Sequence, residues 1–293
     1  MSKLIFGCGY LGRRIAQRWR DAGEEVFVVT RDSQHARSFG HQGFKPIVAD
    51  VIRPQSLVNL PAADTVLYAV GFDRHAGVSI HEVFAKGLEW VLDALPAETK
   101  KIIYISSTGV YAQSQGEWVD EDSACQPQRD GGLACLAAEQ ALAAHRLASR
   151  GIILRMAGLY GPERIPNAAE IRRNQPIAAP HQGYLNLIHA DDAASVVLAA
   201  DQRAKPPRTY LISDGNPVQR QAYYEELARL FNAPPPKFAP PPPQAPASVR
   251  AASNKRARNA RMQAELGVTL RYPSFREGLA AIVAEQSAGA TPG

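Results

Sequence analysis

Gly7-Cys8-Gly9-Tyr10-Leu11-Gly12 follows the apolar run Lys3-Leu4-Ile5-Phe6 and opens the helical stretch Leu11–Ala22. A second apolar run, Glu25–Thr30, comes next, so strand, glycine turn, helix and strand make one βαβ unit. A GxGxxG pattern by itself is weak, because glycines are common. In this setting it reads as a dinucleotide fingerprint. The first glycine permits the tight turn, the second lets backbone N–H groups approach a pyrophosphate, and the third lets helix pack on strand. The first N–H groups of the helix lack intrahelical acceptors and face a phosphate together with the positive end of the helix dipole. Gly7, Gly9, Tyr10, Leu11, Gly12 and Arg13 are therefore expected to bind cofactor.

The end of the second strand selects the dinucleotide. An acidic residue there would accept from the ribose 2′-OH of NAD, but the strand runs Val29-Thr30-Arg31, with Asp32 one place later. Arg31 can meet a 2′-phosphate bidentately and stack on adenine, and Arg13 can join it, so NADP is expected rather than NAD. The plainer alternative makes Arg31 a solvated loop residue. Asp50, after Ile47-Val48-Ala49, either accepts from the adenine amino group or caps the next segment. Ala69 and Val70, closing the run Thr65–Val70, count with the cofactor residues.

Outward from this unit, strand-like runs recur at Lys45–Val48, Thr65–Val70, Lys101–Ser106 and Gly151–Arg155, with helical patterns at Val78–Leu95 and Leu133–Ser149. Near-continuous apolar strands suit a parallel sheet covered on both faces. The βαβα alternation predicts a doubly wound α/β fold, an NAD(P)-binding Rossmann domain with a smaller C-terminal lobe. Leu187–His189, Ala190–Ala200 and Thr209–Ser213 read as strand, helix and strand. The expected division is 1–162 with 187–214 for the dinucleotide lobe, and 163–186 with 215–293 for the smaller lobe. That lobe should hold helices at Arg220–Phe231, near Asn254–Leu266 and at Ser274–Glu285. The proline- and alanine-rich Ala233–Ser248 should be an extended surface connection rather than an SH3-type ligand, and Ala288–Gly293 should fray.

With 45% hydrophobic and 21% charged residues the chain is ordinary for a soluble globular enzyme. Cys8, Cys125 and Cys135 form no CxxC pair and no ligand-spaced cluster, which argues against a disulfide framework or a metal site and suits the cytoplasm. No stretch approaches the roughly 18 apolar residues of a membrane span. The net charge of +5 comes from arginines spread along the whole chain, which argues against a nucleic-acid groove.

Four blocks carry a family likeness: the glycine turn, Ile105-Ser106-Ser107-Thr108-Gly109-Val110-Tyr111, Leu154-Arg155-Met156-Ala157-Gly158-Leu159-Tyr160-Gly161-Pro162, and Asn186-Leu187-Ile188-His189-Ala190-Asp191-Asp192-Ala193. Together they resemble the extended short-chain dehydrogenase/reductases, the epimerase/dehydratase-like proteins. GxGxxG in place of GxxGxxG, with Asn254-Lys255-Arg256 and Tyr272-Pro273, is similar to an atypical branch of that family. The resemblance places Ser107, with Thr108 beside it, where a hydroxyl orients the reacting oxygen; the alternative has both capping local backbone. It also turns Tyr160, Arg164, Tyr184 and Asn186 toward a cleft between lobes. Lys255 and Arg256 either meet an anionic group there or form the solvated face of a helix.

The same resemblance calls for a Tyr-x-x-x-Lys acid/base pair, and its two positions fall on Gly131 and Cys135. No Tyr lies between Ala112 and Leu159 and no Lys between Ile102 and Ala204, so no shift of register restores the pair. Substitutes are thin. Asp130 reads as a helix-entry carboxylate before a general base, Cys135 as a packed residue before a reactive thiol, and His189 with Asp191 and Asp192 as a strand end and helix cap before a catalytic dyad. Two functions follow: an oxidoreductase or epimerase on a small substrate not identified by sequence, or a non-catalytic NADP(H) sensor acting through a partner.

Overall fold

The computed structural model describes residues 1–240 and 253–289. A seven-stranded parallel sheet runs through it in the order Arg208–Ile212, Gly151–Met156, β5 (Lys101–Ser107), β4 (Thr65–Tyr68), β1 (Ser2–Phe6), β2 (Glu25–Thr30) and β3 (Lys45–Val48). The chain winds outward from β1 in both directions, and the strand order reverses between β1 and β4, where open α/β sheets place their ligands. This is the doubly wound Rossmann arrangement expected from the apolar runs. Leu4, Ile5 and Phe6 in β1 and Val66, Leu67 and Tyr68 in β4 are all inaccessible, because helices cover both faces.

One face packs on α1 (Tyr10–Asp21) and the helix Ala190–Arg203 through Ile15, Ala16, Trp19, Val196 and Val197. The other packs on α3 (Gly87–Ala94) and α4 (Asp130–Ala144) through Leu88, Val91, Leu92 and Leu142. A separate apolar cluster joins Tyr160, Ile171 and Ile177 to Tyr223, Leu227, Phe275 and Leu279.

Several elements depart from expectation, each for a local reason. The helix α2 (Ser33–His41) has no apolar period, since only Ala36 and Phe39 turn inward. The stretch 78–95 is not one regular helix: a π turn spans Glu82–Lys86 before α3. Tyr68 Oη donates to the Val83 carbonyl at 2.6 Å, drawing it out of the helical ladder. Gly87 leaves the room, because a Cβ there would stand 2.7 Å from that hydroxyl.

Helix α4 begins at Asp130 and ends at Ala144, so the expected 133–149 is displaced toward the N-terminus. The expected helix over 254–266 is instead a strand, Lys255–Ala257, paired parallel with Glu117–Val119, and helix begins only at Ala260. Asn186 holds that strand from its free side: its side chain accepts from Ala257 N–H at 2.6 Å and donates to the Lys255 carbonyl at 2.9 Å.

Of the proline-rich connection, Phe238–Ala239 pairs with Ile177–Ala178, and 241–248 lies outside the described residues. The C-terminal helix Phe275–Gly289 runs through Ala288, and 290–293 of the expected frayed end also lies outside them. No helix among the described residues is long and apolar enough to cross a membrane.

Candidate functional site

A cleft of about 370 Å³ opens at the carboxyl ends of β1, β2 and β4. Its floor is the glycine turn, whose three glycines do three different things. Gly7, at φ +93°, abuts β4, where a Cβ would lie 2.4 Å from the Ala69 carbonyl. Gly12 presses α1 onto the turn, its Cβ position only 2.2 Å from the Gly7 carbonyl oxygen. Gly9 alone faces open space, with nothing within 4 Å of where a Cβ would be. The first intrahelical bond runs from Arg13 N–H to the Gly9 carbonyl at 2.9 Å, so the N–H groups of Tyr10, Leu11 and Gly12 precede the ladder and point out of the helix end.

Gly7, Gly9, Arg13, Arg31, Asp50 and Val70 line the cleft. Tyr10, Leu11, Gly12 and Ala69 do not present side chains to it. Leu11 is buried in the core under α1. Tyr10 donates to the Pro162 carbonyl at 2.9 Å, its ring lying 4.2 Å from the Arg14 guanidinium and 5.3 Å from that of Arg164. For these residues only main-chain atoms are in place to meet a ligand.

At the end of β2 the acid that follows Arg31 serves as a helix cap. Asp32 caps α2, one carboxylate oxygen accepting from Gln34 N–H at 2.6 Å and His35 N–H at 2.8 Å. Those two backbone bonds hold its carboxyl below the usual range. Arg31, Arg13 and His35 face the cleft around it. Asp50 lines the cleft, and one of its oxygens accepts from Ile52 N–H at 3.2 Å within its own turn, whereas the short helix that follows, Pro54–Ser56, is preceded by Arg53 and takes no side-chain cap. Cys8, also in the lining, has its thiol pushed up to about 11 by burial, which Arg13 only partly offsets.

The second half of the candidate site lies at the end of β5. Ser107 is half-buried and its Oγ accepts from Gly109 N–H at 3.0 Å, which leaves its own proton free to donate. Thr108 begins the short 3-10 turn that follows. Beneath them Ser106 Oγ donates to Glu139 at 2.6 Å, and Arg155 donates to the same carboxylate at 2.8 and 3.1 Å and to Tyr111 Oη at 2.9 Å. This buried pair locks α4 to the sheet and sets the height of the Ser107 edge. Its signal in the sequence is one acid in the apolar run of α4 and one arginine in an apolar strand.

The two positions that lack Tyr and Lys differ in environment. A Cβ on Gly131 would meet only Ile80 Cδ1, at 3.7 Å. Cys135 is buried with Val110, Tyr111, Val119 and Ala257, and burial pushes its thiol up to about 11, so it is a packed residue. Asp130 is exposed at the first position of α4. His189 accepts from Asp191 N–H at 3.2 Å as a helix cap, and burial holds its imidazole below the ordinary range. Asp192 accepts from Arg271 and Tyr272 N–H at 2.8 and 2.9 Å.

Three residues expected to face the cleft do other work. Tyr160 is wholly inaccessible, stacked edge-on with His189 at 5.3 Å in the C-terminal apolar cluster, because its strand carries it inward. Asn186 spends its side chain on the strand Lys255–Ala257. Tyr184 is half-buried, its backbone N–H donating to Asn254 Oδ1 at 3.0 Å and its ring 5.2 Å from the Arg256 guanidinium. Arg164 is exposed, its guanidinium 5.3 Å from the Tyr10 ring. Lys255 is buried, contrary to a solvated helix face.

The profile of the NAD dependent epimerase/dehydratase family matches residues 4–213. Protein YeeZ of Escherichia coli (strain K12) is 27% identical over 279 residues, spanning 92% of this chain and 95% of YeeZ. A Methylobacillus flagellatus protein, described as a candidate NAD-dependent epimerase/dehydratase, is 31% identical, with TM-score 0.79 over 98% of each chain. WbmG of Bordetella bronchiseptica, solved with NAD and UDP, shares the fold at 17% identity, with TM-score 0.80 over 99% of this chain and 96% of its own.

Proposed function

Because the chain belongs to the NAD dependent epimerase/dehydratase family, we propose that it binds NADP(H) in the glycine cleft and acts as an oxidoreductase on a small substrate. The observation that carries the cofactor choice is the engagement of Asp32 as a helix cap while Arg31 and Arg13 face the cleft. A 2′-phosphate would find two guanidinium groups there, beside an Asp32 carboxylate already accepting from two backbone N–H groups. The pyrophosphate is assigned to the open space over Gly9, against the N–H groups of Tyr10, Leu11 and Gly12. WbmG, a protein of the same fold, was solved with NAD.

A bound nicotinamide supplies the hydride donor or acceptor. The protein's part is to hold the substrate oxygen, and Ser107, with Thr108 beside it, is the hydroxyl we assign to that task. Gly131 and Cys135 supply no proton, so the reaction proceeds without tyrosine acid/base help. That absence favours a second reading, a non-catalytic NADP(H) binder. We assign 1–162 with 187–214 to the cofactor lobe and 163–186 with 215–293 to the substrate lobe. Three free cysteines suit a cytoplasmic setting.

Calorimetric titration with NADPH and NADH tests the cofactor. Tighter NADPH binding supports this reading, and equal affinities overturn it. Oxidation of NADPH by any small carbonyl compound separates the enzyme from the silent binder.

A further inference from the structure

His35 reaches the cleft from the first turn of α2, and the residue one turn further on settles which way it faces. Phe39 is only 5% exposed and belongs to the core, yet it too lines the cleft. Residues four apart share one side of a helix, so His35 opens to the same space. Arg31, just ahead of the helix, and Arg13 of α1 stand in that wall with it. The Arg13 guanidinium lies 5.8 Å from the Phe39 ring, which holds it beside the face that carries His35. His35 and Arg31 are exposed. Among the described residues the side chains of Arg13, Arg31 and His35 have no hydrogen-bond or ion-pair partner.

The other titratable and charged groups around His35 come from each neighbouring element. Its own helix brings Asp32, whose carboxyl is held low by the His35 and Gln34 N–H groups first and by the His35 ring and Arg37 after them. Asp50 after β3 and Asp73 after β4 are in the cleft lining, as is Cys8 of the glycine turn, a thiol that burial pushes up to about 11. Two of the three basic groups are guanidiniums, which stay charged at any ordinary pH. The third is an imidazole, the side chain that changes charge in the physiological range. As an imidazolium it donates from both ring nitrogens and bonds a phosphate with charge assistance; as a neutral ring it donates from one nitrogen only.

We propose that His35 is a third contact for the 2′-phosphate of NADP(H), and that its protonation makes the preference for NADP(H) over NAD(H) steeper in acid than in base. The inference rests on the reading of the cleft as an NADP(H) site. A phosphate held against the ring favours the imidazolium, so binding and protonation reinforce each other. The sign follows: as pH rises and the proton leaves His35, the third charge is lost and NADP binding weakens. The phosphate itself works the other way, since a phosphate monoester gains its second negative charge near pH 6. Comparing the wild type with His35→Gln at each pH cancels that opposing change, because both proteins meet the same phosphate.

The test is calorimetric titration of wild type, His35→Gln and His35→Arg with NADP and with NAD at about pH 6 and about pH 8.5. The wild type should bind NADP about three- to ten-fold more tightly than His35→Gln at the lower pH, and nearly equally at the higher. His35→Arg, whose charge is permanent, should hold its advantage over His35→Gln at both. NAD affinity should be the same in all three proteins, and His41→Gln, at the exposed far end of α2, should bind both dinucleotides like wild type. A ratio of wild type to His35→Gln that is the same at both pH values, or an equal loss for NAD, overturns the proposal. If NADP binds more tightly than NAD throughout but that ratio stays flat, the cofactor reading stands and the role of His35 alone fails. If the wild type binds NADP and NAD equally at both pH values, the cofactor reading fails and the role of His35 with it.

Discussion

Gly12 stands so close to Gly7 that a Cβ on it would lie 2.2 Å from the Gly7 carbonyl oxygen, whereas Gly9 between them faces open space. Two substitutions in one motif should therefore fail in opposite ways. Gly12→Ala forces helix from turn and should destabilise by about 1–3 kcal/mol, as overpacking does. Gly9→Val should fold at the wild-type melting temperature and lose the dinucleotide-dependent rise in it. A Gly9→Val protein still stabilised by NADPH would show that the phosphates lie elsewhere.

Arg31→Ala removes one guanidinium from the end of β2 without touching the turn. A lost charge-assisted phosphate contact is worth about 1.5–3 kcal/mol, so NADPH affinity should fall roughly ten-fold or more. NADH affinity should barely move. Calorimetry on both dinucleotides checks this, and a parallel loss for NADH would mean that Arg31 holds the fold or the pyrophosphate instead.

Glu139 and Arg155 are both nearly inaccessible and hold each other under the Ser107 edge. Removing one partner leaves the other charged and buried, which costs about 3–5 kcal/mol. Glu139→Ala should show that loss in urea unfolding. Glu139→Ala with Arg155→Leu should recover part of it, because the second change removes the stranded charge. A double variant less stable than either single one would contradict the pairing.

What the sequence made legible follows from how local each signal is. The glycine turn, the apolar strands and the doubly wound class are written in short-range patterns, and the structure has them all. The departures come from contacts between distant residues. Tyr68 bends the helix after residue 78 by reaching the Val83 carbonyl, which no period in that helix reveals. Lys255 looks like one side of a helix until Glu117–Val119 pairs with it, and α4 sits against the turn after β5 only because Gly132 leaves room for the Gly109 carbonyl. Likeness of motif turns Tyr160 toward the cleft, but the C-terminal helix encloses it, with Gly278 giving its ring room.

Asp214, just beyond the strand Arg208–Ile212, should tilt stability with pH. One of its oxygens accepts from Asn216 N–H at 2.9 Å; the other is buried with no partner among the described residues. Burial first, with Asp192 and Glu277 adding to it, pushes its carboxyl up to about 7. In the unfolded chain the group ionises near 4, so between about pH 4 and 7 the folded state keeps a proton that the unfolded state has lost. Stability therefore falls as pH rises through that window, by a few kcal/mol at most, and levels off above it. Asp214→Asn should flatten this part of the curve. Denaturation of both proteins from pH 4 to 8 gives the difference, and parallel curves would mean that Asp214 is ionised in the native protein throughout.

Chemistry should be weak where binding is strong. General acid/base help is worth about 10²–10⁴-fold, and neither Gly131 nor the buried Cys135 provides any. NADPH oxidation by the wild type, against a panel of carbonyl compounds and nucleotide sugars, should stay below a kcat/KM of roughly 10⁴ M⁻¹s⁻¹, an ordinary enzyme value. The two missing positions are not equally repairable. A Cβ on Gly131 would meet Ile80 Cδ1 at 3.7 Å, an ordinary contact, so Gly131→Tyr should fold and bind NADPH. Cys135→Lys would drive an ammonium among Val110, Val119 and Ala257 and should lower the melting temperature. Efficient wild-type turnover that survives Asp130→Asn and Cys135→Ser would mean that another group moves the proton.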